Sequence, residues 1–352
     1  MVYSEHGDPA QVLTAHEYDM REPADDEFLV RFLAAPINPA DINQIEGVYP
    51  KRPSFSDKFG TALPSAVGGN EGLVEVIKAG RGGMSMTWSL GQWAIMRRTT
   101  FGTWRTHALV KADDLLPVPV PDVAGLDPVQ VATVSVNPCT AYRMLRDFYP
   151  LRPGGWFVQN GANSAVGKSA VQMGRIWGLR SINIIRQRPG HEQVRDELYA
   201  LGADIVLTDA ELEDRAALKT LLRDQVDGPV KLALNCVGGS ATMNLCRLLA
   251  DGAHVVTYGA MAKQPLKVAA SLLIFRDLHF HGFWVSPWND AHPQERLDML
   301  KQIFAWMKDG SFKSPEANVN HWGTGQTLAE FEEVFKKALA DKSQKQVMAM
   351  HF

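Results

Sequence analysis

The run Trp156-Phe-Val-Gln-Asn-Gly-Ala-Asn-Ser-Ala-Val-Gly167 decides the fold. Its first five residues, WFVQN (156–160), make an apolar strand-like run, and Lys168 to Trp177 is an amphipathic helical stretch. Between them lie small residues at 161 to 165. A turn of this kind, strand before and helix after, presents unsatisfied N–H groups and the positive end of a helix dipole to a pyrophosphate. Small side chains let the backbone approach such a ligand, and Gly167 permits close packing of helix on strand. The usual dinucleotide fingerprint has a further glycine between these two, and this chain has Ser164 there. A tight turn with no ligand would also accommodate these residues; the strand–helix rhythm around it favours a nucleotide site.

That rhythm continues outward. SINIIR (181–186), DIVLT (204–208), KLALNCV (231–237), HVVTYG (254–259) and LHFHGFW (278–284) read as strands, with amphipathic segments such as Glu192 to Leu201 between them. Strand–helix alternation at this spacing predicts a doubly wound parallel sheet, and near-continuous hydrophobicity fits strands covered on both faces. The second strand ends in Arg186-Gln187-Arg188, about twenty residues past Gly167. An NAD site carries Asp or Glu at this place for the ribose 2′-hydroxyl. Planar guanidinium groups suit a 2′-phosphate instead, so Arg186 and Arg188 point to NADPH.

The first part of the chain, to about residue 128, has a different texture. FLVRF (28–32), LVEVI (73–77) and QWAIM (92–96) are short strand-like runs broken by Gly and Pro, which predicts a compact β-rich unit. Near the C-terminus a helix over Leu328 to Ala340 precedes a last strand-like run, Gln346 to Met350. A terminal strand needs a partner, and pairing with the β-rich unit makes that domain discontinuous. The expected division is 1–128 with 313–352 for the β-rich domain, and 129–312 for an α/β, doubly wound Rossmann nucleotide domain.

Composition narrows the possibilities further. The chain has 352 residues, 45% hydrophobic and 21% charged, which is globular rather than disordered composition. A formal net charge of −3 and no Lys/Arg block argue against nucleic acid as a partner. Apolar runs such as Ala269 to Phe275 fall well below the ~18 residues of a membrane span. Three cysteines, Cys139, Cys236 and Cys246, make no disulfide framework and contain no CxxC pair for zinc. Cys139 reads as a free buried thiol.

Several further strings carry a resemblance. NPADINQIEGVYP (38–50), GGNEG (68–72), FGTWRTHAL (101–109) and VNPCTAYRML (136–145) precede the glycine loop, and IRQRP (185–189), LALNCVGG (232–239), TYGAMAKQP (257–265) and GFWVS (282–286) follow it. Together they resemble the medium-chain dehydrogenase/reductase superfamily, and within it the mitochondrial-type 2-enoyl thioester reductases, over nearly the whole chain, which implies that the β-rich domain is GroES-like and catalytic. Zinc-dependent members carry His in a Gly-His-Glu motif and a ligand Cys upstream. This chain has Asn70 in the first place and Ala40-Asp41 near the second, so no catalytic metal is expected.

The resemblance implies NADPH-dependent reduction of a trans-2-enoyl thioester, carried on acyl carrier protein or CoA, in fatty acid synthesis. Hydride reaches C3, charge develops on the thioester oxygen, and Tyr49 delivers the proton to C2. Carried over by motif, Asn137, Asn163, Ser164, Ala165, Val166, Arg186, Arg188, Tyr258, Gly259, Ala260, Met261, Phe283, Trp284, Val285 and Lys345 hold the cofactor. Trp284 could equally line an acyl channel or belong to the core, and Glu71 is either a tuning group or a turn residue. The resemblance also implies a homodimer joined through the nucleotide domains, and the mitochondrial matrix, with the cytoplasm as the other compartment. Competing functions are an NADPH quinone oxidoreductase, a free-standing enoyl reductase of polyketide synthesis, and a non-catalytic NADPH sensor.

Overall fold

A computed structural model describes residues 1–81 and 88–352. The chain divides into two compact units, one of Asn137–Met299 with Asp309–Lys313, the other of Met1–Val136, Leu300–Lys308 and Ser314–Phe352.

The first of these is built on six parallel strands: β1 (Trp156–Asn160), β2 (Arg180–Ile185), β3 (Ile205–Thr208), β4 (Val230–Asn235), β5 (His254–Thr257) and β6 (His279–Gly282). Their order in the sheet is β3-β2-β1-β4-β5-β6. All five residues of β1 are buried, as a strand between two parallel neighbours and two helical layers must be. Val158 sits opposite Ile182 on one side and Ala233 on the other. The strand order reverses between β1 and β4, which opens a crevice beyond their C-terminal ends. The parallel sheet and the expected strands are therefore present, although the fourth strand stops at Asn235. Beyond it the Cys236 amide turns to donate to Asn160 Oδ1 at 2.8 Å, leaving the ladder.

Three histidines share the β5–β6 edge. His254 and His281 have near-parallel rings with centroids 5.0 Å apart and an Nδ1···Nε2 distance of 2.9 Å, and the His279 ring lies 4.8 Å from that of His254. Burial, and then the neighbouring imidazoles, lower the pKa of His254, and the same two causes act on His281. An unfolded histidine binds its proton near 6.5, so below that pH the unfolded chain holds more protons than the folded one. Stability thus falls as pH drops through about 6.5. The urea midpoint is expected to decrease between pH 7.5 and 5.5, and His254→Gln should shrink that decrease. An unchanged pH slope in the variant would remove these imidazoles from the account.

The second unit holds a seven-stranded sheet around Glu27–Ile37. That strand alternates half-buried and buried residues along most of its length, putting Phe28, Val30, Phe32 and Ala34 on one face. Leu73–Ala79 and His107–Lys111 pair with it antiparallel. The C-terminal strand, Lys345–His351, does pair back: Gln346 lies opposite Ile37 and Ala349 opposite Ala34. The helix Leu328–Ala340 begins at Thr327, whose hydroxyl accepts from the Glu330 amide in a capping box. It contributes Phe335, which packs with Trp322 and Trp104 in the core of this unit.

Two of the quoted strings meet in this core. Trp104 is fully buried, and a Cβ at Gly68 would come within 2.4 Å of its ring. Gly69 has φ +92°, and a Cβ there would meet Thr103 Oγ1 at 2.3 Å. The glycine pair of GGNEG thus lets its backbone lie against Trp104, with the Trp104 amide donating to Gly68 O. The next two residues, Asn70 and Glu71, are carried into the interior.

Candidate active site

In the nucleotide unit the glycine loop behaves as its sequence suggests, with one refinement. Gly161 adopts φ +60°, and a Cβ there would lie 2.4 Å from Cys236 Sγ. A Cβ at Gly167 would meet the Ala162 backbone, its oxygen at 2.4 Å, so helix Ala165–Ile176 can approach β1 only through glycine. Ser164 is the N-cap of that helix, and its hydroxyl accepts from the Gly167 amide at 3.1 Å. The residue that departs from the fingerprint therefore satisfies one of the helix's orphan donors.

Parallel strands bring the segments that follow them to one edge of the sheet. Here these are 161–167 after β1, 186–188 after β2, 236–241 after β4, 258–261 after β5 and 283–285 after β6. Under them runs a ladder of buried amides. Asn160 Nδ2 donates to Asn235 Oδ1 at 2.8 Å, and Asn235 Nδ2 donates to Thr242 and Thr257 hydroxyls, both at 3.2 Å. The ladder ties the ends of β1, β4 and β5 together.

Arg186 and Arg188 both stand exposed, without an ion-pair partner among the described residues. Gln187 between them faces β3: Thr208 Oγ1 donates to its side-chain oxygen at 2.9 Å, and its own amide donates to Asp209 at 2.7 Å. Tyr258 follows β5. Its buried hydroxyl lies beside the Cys236 thiol and the Ser164 hydroxyl without a well-formed hydrogen bond to either, and burial, then Cys236, raises the phenol well above its usual pKa. A buried hydroxyl without a well-formed bond, next to a loop that only glycine can form, fits a site for a polar ligand. Met261 is largely exposed, Trp284 is the N-cap of helix Val285–Ala291 and is 37% exposed, and Val285 is buried. Asn137 is buried at the start of helix Asn137–Asp147.

The segment after β4 had no residue assigned to it. Val237, Gly238, Gly239, Ser240 and Ala241 line a cavity of about 250 Å³ together with Ala262, Gln264 and Lys267. The rule that ligands bind beyond the C-terminal ends of parallel strands was signal enough to include it.

In the β-rich unit Tyr49 lies just past the short helix Pro39–Ile45, half-buried between exposed Val48 and Pro50. Its amide donates to Asn43 O at 3.1 Å. The helix before it contributes to a buried polar cluster. Asn70 Nδ2 donates to Asp41 Oδ1 at 2.5 Å and to Gln44 Oε1 at 2.7 Å, while Asn70 Oδ1 accepts from the Thr100 amide. Asp41 also accepts from the Asn38 amide. Burial pushes its carboxyl up to about 7, against the opposing pull of those hydrogen bonds. Asn38 Nδ2 donates to Glu71 Oε2, and the other Glu71 oxygen accepts from Ser135 Oγ and the Val136 amide. Lys345 joins this cluster, its Nζ 2.7 Å from Asn38 Oδ1. Burial lowers its pKa, although Glu71 and Asp41 nearby oppose that shift. Glu71 is thus a fully engaged hydrogen-bond acceptor, and the places where zinc-dependent relatives keep ligands hold an amide and a carboxylate bonded to each other.

A doubly wound unit with a capped glycine turn and a β-rich unit completed by the C-terminal strand, in one chain, define a medium-chain dehydrogenase/reductase. The zinc-binding dehydrogenase family matches residues 165–302. The mitochondrial enoyl-[acyl-carrier-protein] reductase of Schizosaccharomyces pombe is 43% identical over 318 residues, covering 89% of this chain and 84% of that protein. The solved structure of an Etr1p/NADP/crotonyl-CoA complex is 39% identical with a TM-score of 0.92, covering 99% of this chain and 98% of that one. A mitochondrial 2-enoyl thioester reductase Etr1p/Etr2p heterodimer from Candida tropicalis matches with the same identity, score and coverage. The chain belongs to the mitochondrial enoyl-[acyl-carrier-protein] reductase family.

Proposed function

We propose that this chain reduces trans-2-enoyl thioesters to saturated acyl thioesters with NADPH, in mitochondrial fatty acid synthesis. The observation that carries the reading is the match along nearly the whole chain to a structure holding NADP and crotonyl-CoA. The Arg186 and Arg188 guanidinium groups, free of carboxylate partners among the described residues, support recognition of a 2′-phosphate. The Asn163, Ala165 and Val166 amides at the start of the helix and the Tyr258 hydroxyl offer donors to the rest of the cofactor. Asn137, Asn163 to Val166, Gly259 to Met261, Phe283 to Val285 and Lys345 complete the proposed set.

When bound, NADPH supplies the hydride that adds to C3. The chain's own contribution is the acid. An ordinary phenol, with a pKa near 10, is protonated at neutral pH, so Tyr49 can give its proton to C2 as electron density builds there. Its half-buried position on an exposed loop leaves water able to restore that proton. The catalytic and nucleotide domains are taken as 1–128 with 313–352 and as 129–312. A homodimer through the nucleotide unit is supported by the Etr1p/Etr2p pairing and by β6 ending its sheet. Acyl carrier protein or CoA carries the substrate. The relatives' mitochondrial names support a mitochondrial compartment, which we take to be the matrix.

The test is NADPH oxidation with a medium-length trans-2-enoyl-CoA, beside a quinone control. Turnover on the enoyl thioester supports the reading. Turnover on quinone alone would replace it with an NADPH quinone oxidoreductase.

A further inference from the structure

The loop that bears Tyr49 is tied by hydrogen bonds at both ends. No residue from Glu46 to Arg52 is buried, and Val48, next to the tyrosine, is 69% exposed. Polar contacts on both sides of the tyrosine therefore help to fix this segment. On the N-terminal side, the Val48 and Tyr49 amides both donate to Asn43 O, and the Gly47 amide to Gln44 O. On the C-terminal side, the Gln44 side chain donates from Nε2 to Lys51 O at 2.8 Å. Arg52 closes the loop by donating to Gly47 O at 2.8 Å.

Gln44 can make that contact only if its amide points one way, and the interior dictates which. The Thr100 amide donates to Asn70 Oδ1 at 2.6 Å, which fixes Asn70 Nδ2 on the opposite side. Asp41, an acceptor there, takes one of its hydrogens and Gln44 Oε1 takes the other. With its oxygen so occupied, Gln44 must present Nε2 to the Lys51 carbonyl. Every member of the series Thr100 N, Asn70, Gln44, Lys51 O thus has a single permitted orientation, and all the side chains in it are buried. An amide flip at any point would set two donors or two acceptors against each other in the interior, which is costly.

We propose that Asn70 and Gln44 are positioning residues for Tyr49, a directional amide relay that fixes the proton-donor loop from the place where zinc-dependent relatives carry a ligand. This rests on the reading of Tyr49 as the acid. Gln44→Glu is the decisive change: a carboxylate of nearly the same shape still accepts from Asn70 but cannot donate to Lys51 O. Asn70→Asp acts one step further back, because it loses both donors.

A double-mutant cycle with Tyr49→Phe tests the proposal, reading kcat on a trans-2-enoyl-CoA and the Kd for NADPH. Gln44→Glu is expected to lower kcat about 10- to 100-fold when Tyr49 is present. In the Tyr49→Phe background it should change kcat less than twofold, with the NADPH Kd unaltered in both. Faster hydrogen exchange at the amides of residues 47–52 should accompany the loss. An equal fold loss in both backgrounds would overturn the proposal, since a merely structural defect ignores the tyrosine. If Tyr49→Phe alone retained full activity, the acid assignment itself would fall, and the relay with it. Should Gln44→Glu not fold, Gln44→Met carries the same test without burying a charge, and a Met variant with native kcat would also overturn the relay.

Discussion

Tyr49→Phe is expected to lower kcat on a trans-2-enoyl thioester by about 10²- to 10⁴-fold, the range over which a positioned general acid contributes. Hydride addition at C3 leaves electron density shared between C2 and the thioester oxygen, and the saturated product forms only when C2 receives a proton. Phenylalanine keeps the ring and so preserves the loop's packing, but its edge has no proton to give. Water must then serve, at a position the protein does not fix. The ring lies on a loop whose backbone contacts, from Asn43, Gln44 and Arg52, do not involve the hydroxyl. NADPH affinity is expected to stay near its native value, as a fluorescence titration would show. A small loss in kcat would indicate that solvent or another group protonates C2.

The second large effect concerns the cofactor. Replacing Arg186 and Arg188 together by alanine is expected to raise the KM for NADPH about a hundredfold, while activity with NADH stays roughly constant. Charge-assisted hydrogen bonds to a phosphate are each worth about 1.5–3 kcal/mol. Solvent exposure puts both residues at the low end of that range, and a tenfold change corresponds to about 1.4 kcal/mol. Neither arginine is tied to a carboxylate among the described residues, so their removal leaves no buried charge behind. Equal losses with NADPH and NADH would mean the arginines shape the turn rather than read the 2′-phosphate.

What could be read from the sequence was what is local. The strand, turn and helix at 156–177 are encoded by consecutive residues, and Arg186 and Arg188 follow from a fixed distance along the chain. The return of Lys345–His351 to Glu27–Ile37 was also legible, because an isolated apolar strand at a chain end demands a partner. Ser164 looked like a flaw in the fingerprint, and only the structure supplies its reason, the cap on Gly167. The buried amide cluster around Asn70 lay beyond reach for a different cause. Asn38, Asp41, Gln44, Asn70 and Lys345 come from three distant stretches, and what matters among them is which way each amide points. Spacing carries no information about that. Likewise Lys345 could be named from its motif, but its bond to Asn38 and its proximity to Glu71 and Asp41 depend on tertiary packing.

The central claim is that hydride arrives at C3 and a solvent-derived proton, passed through Tyr49, at C2. It is tested most directly by turning over a trans-2-enoyl-CoA in ordinary water with NADPH deuterated at both C4 positions, and locating the label in the product by NMR. One deuterium at C3 and none at C2 is the predicted result, with the reverse labelling when NADPH is unlabelled and the solvent is D₂O. Label from the cofactor at C2, or an enoyl thioester recovered unchanged while NADPH reduces a quinone, would contradict it.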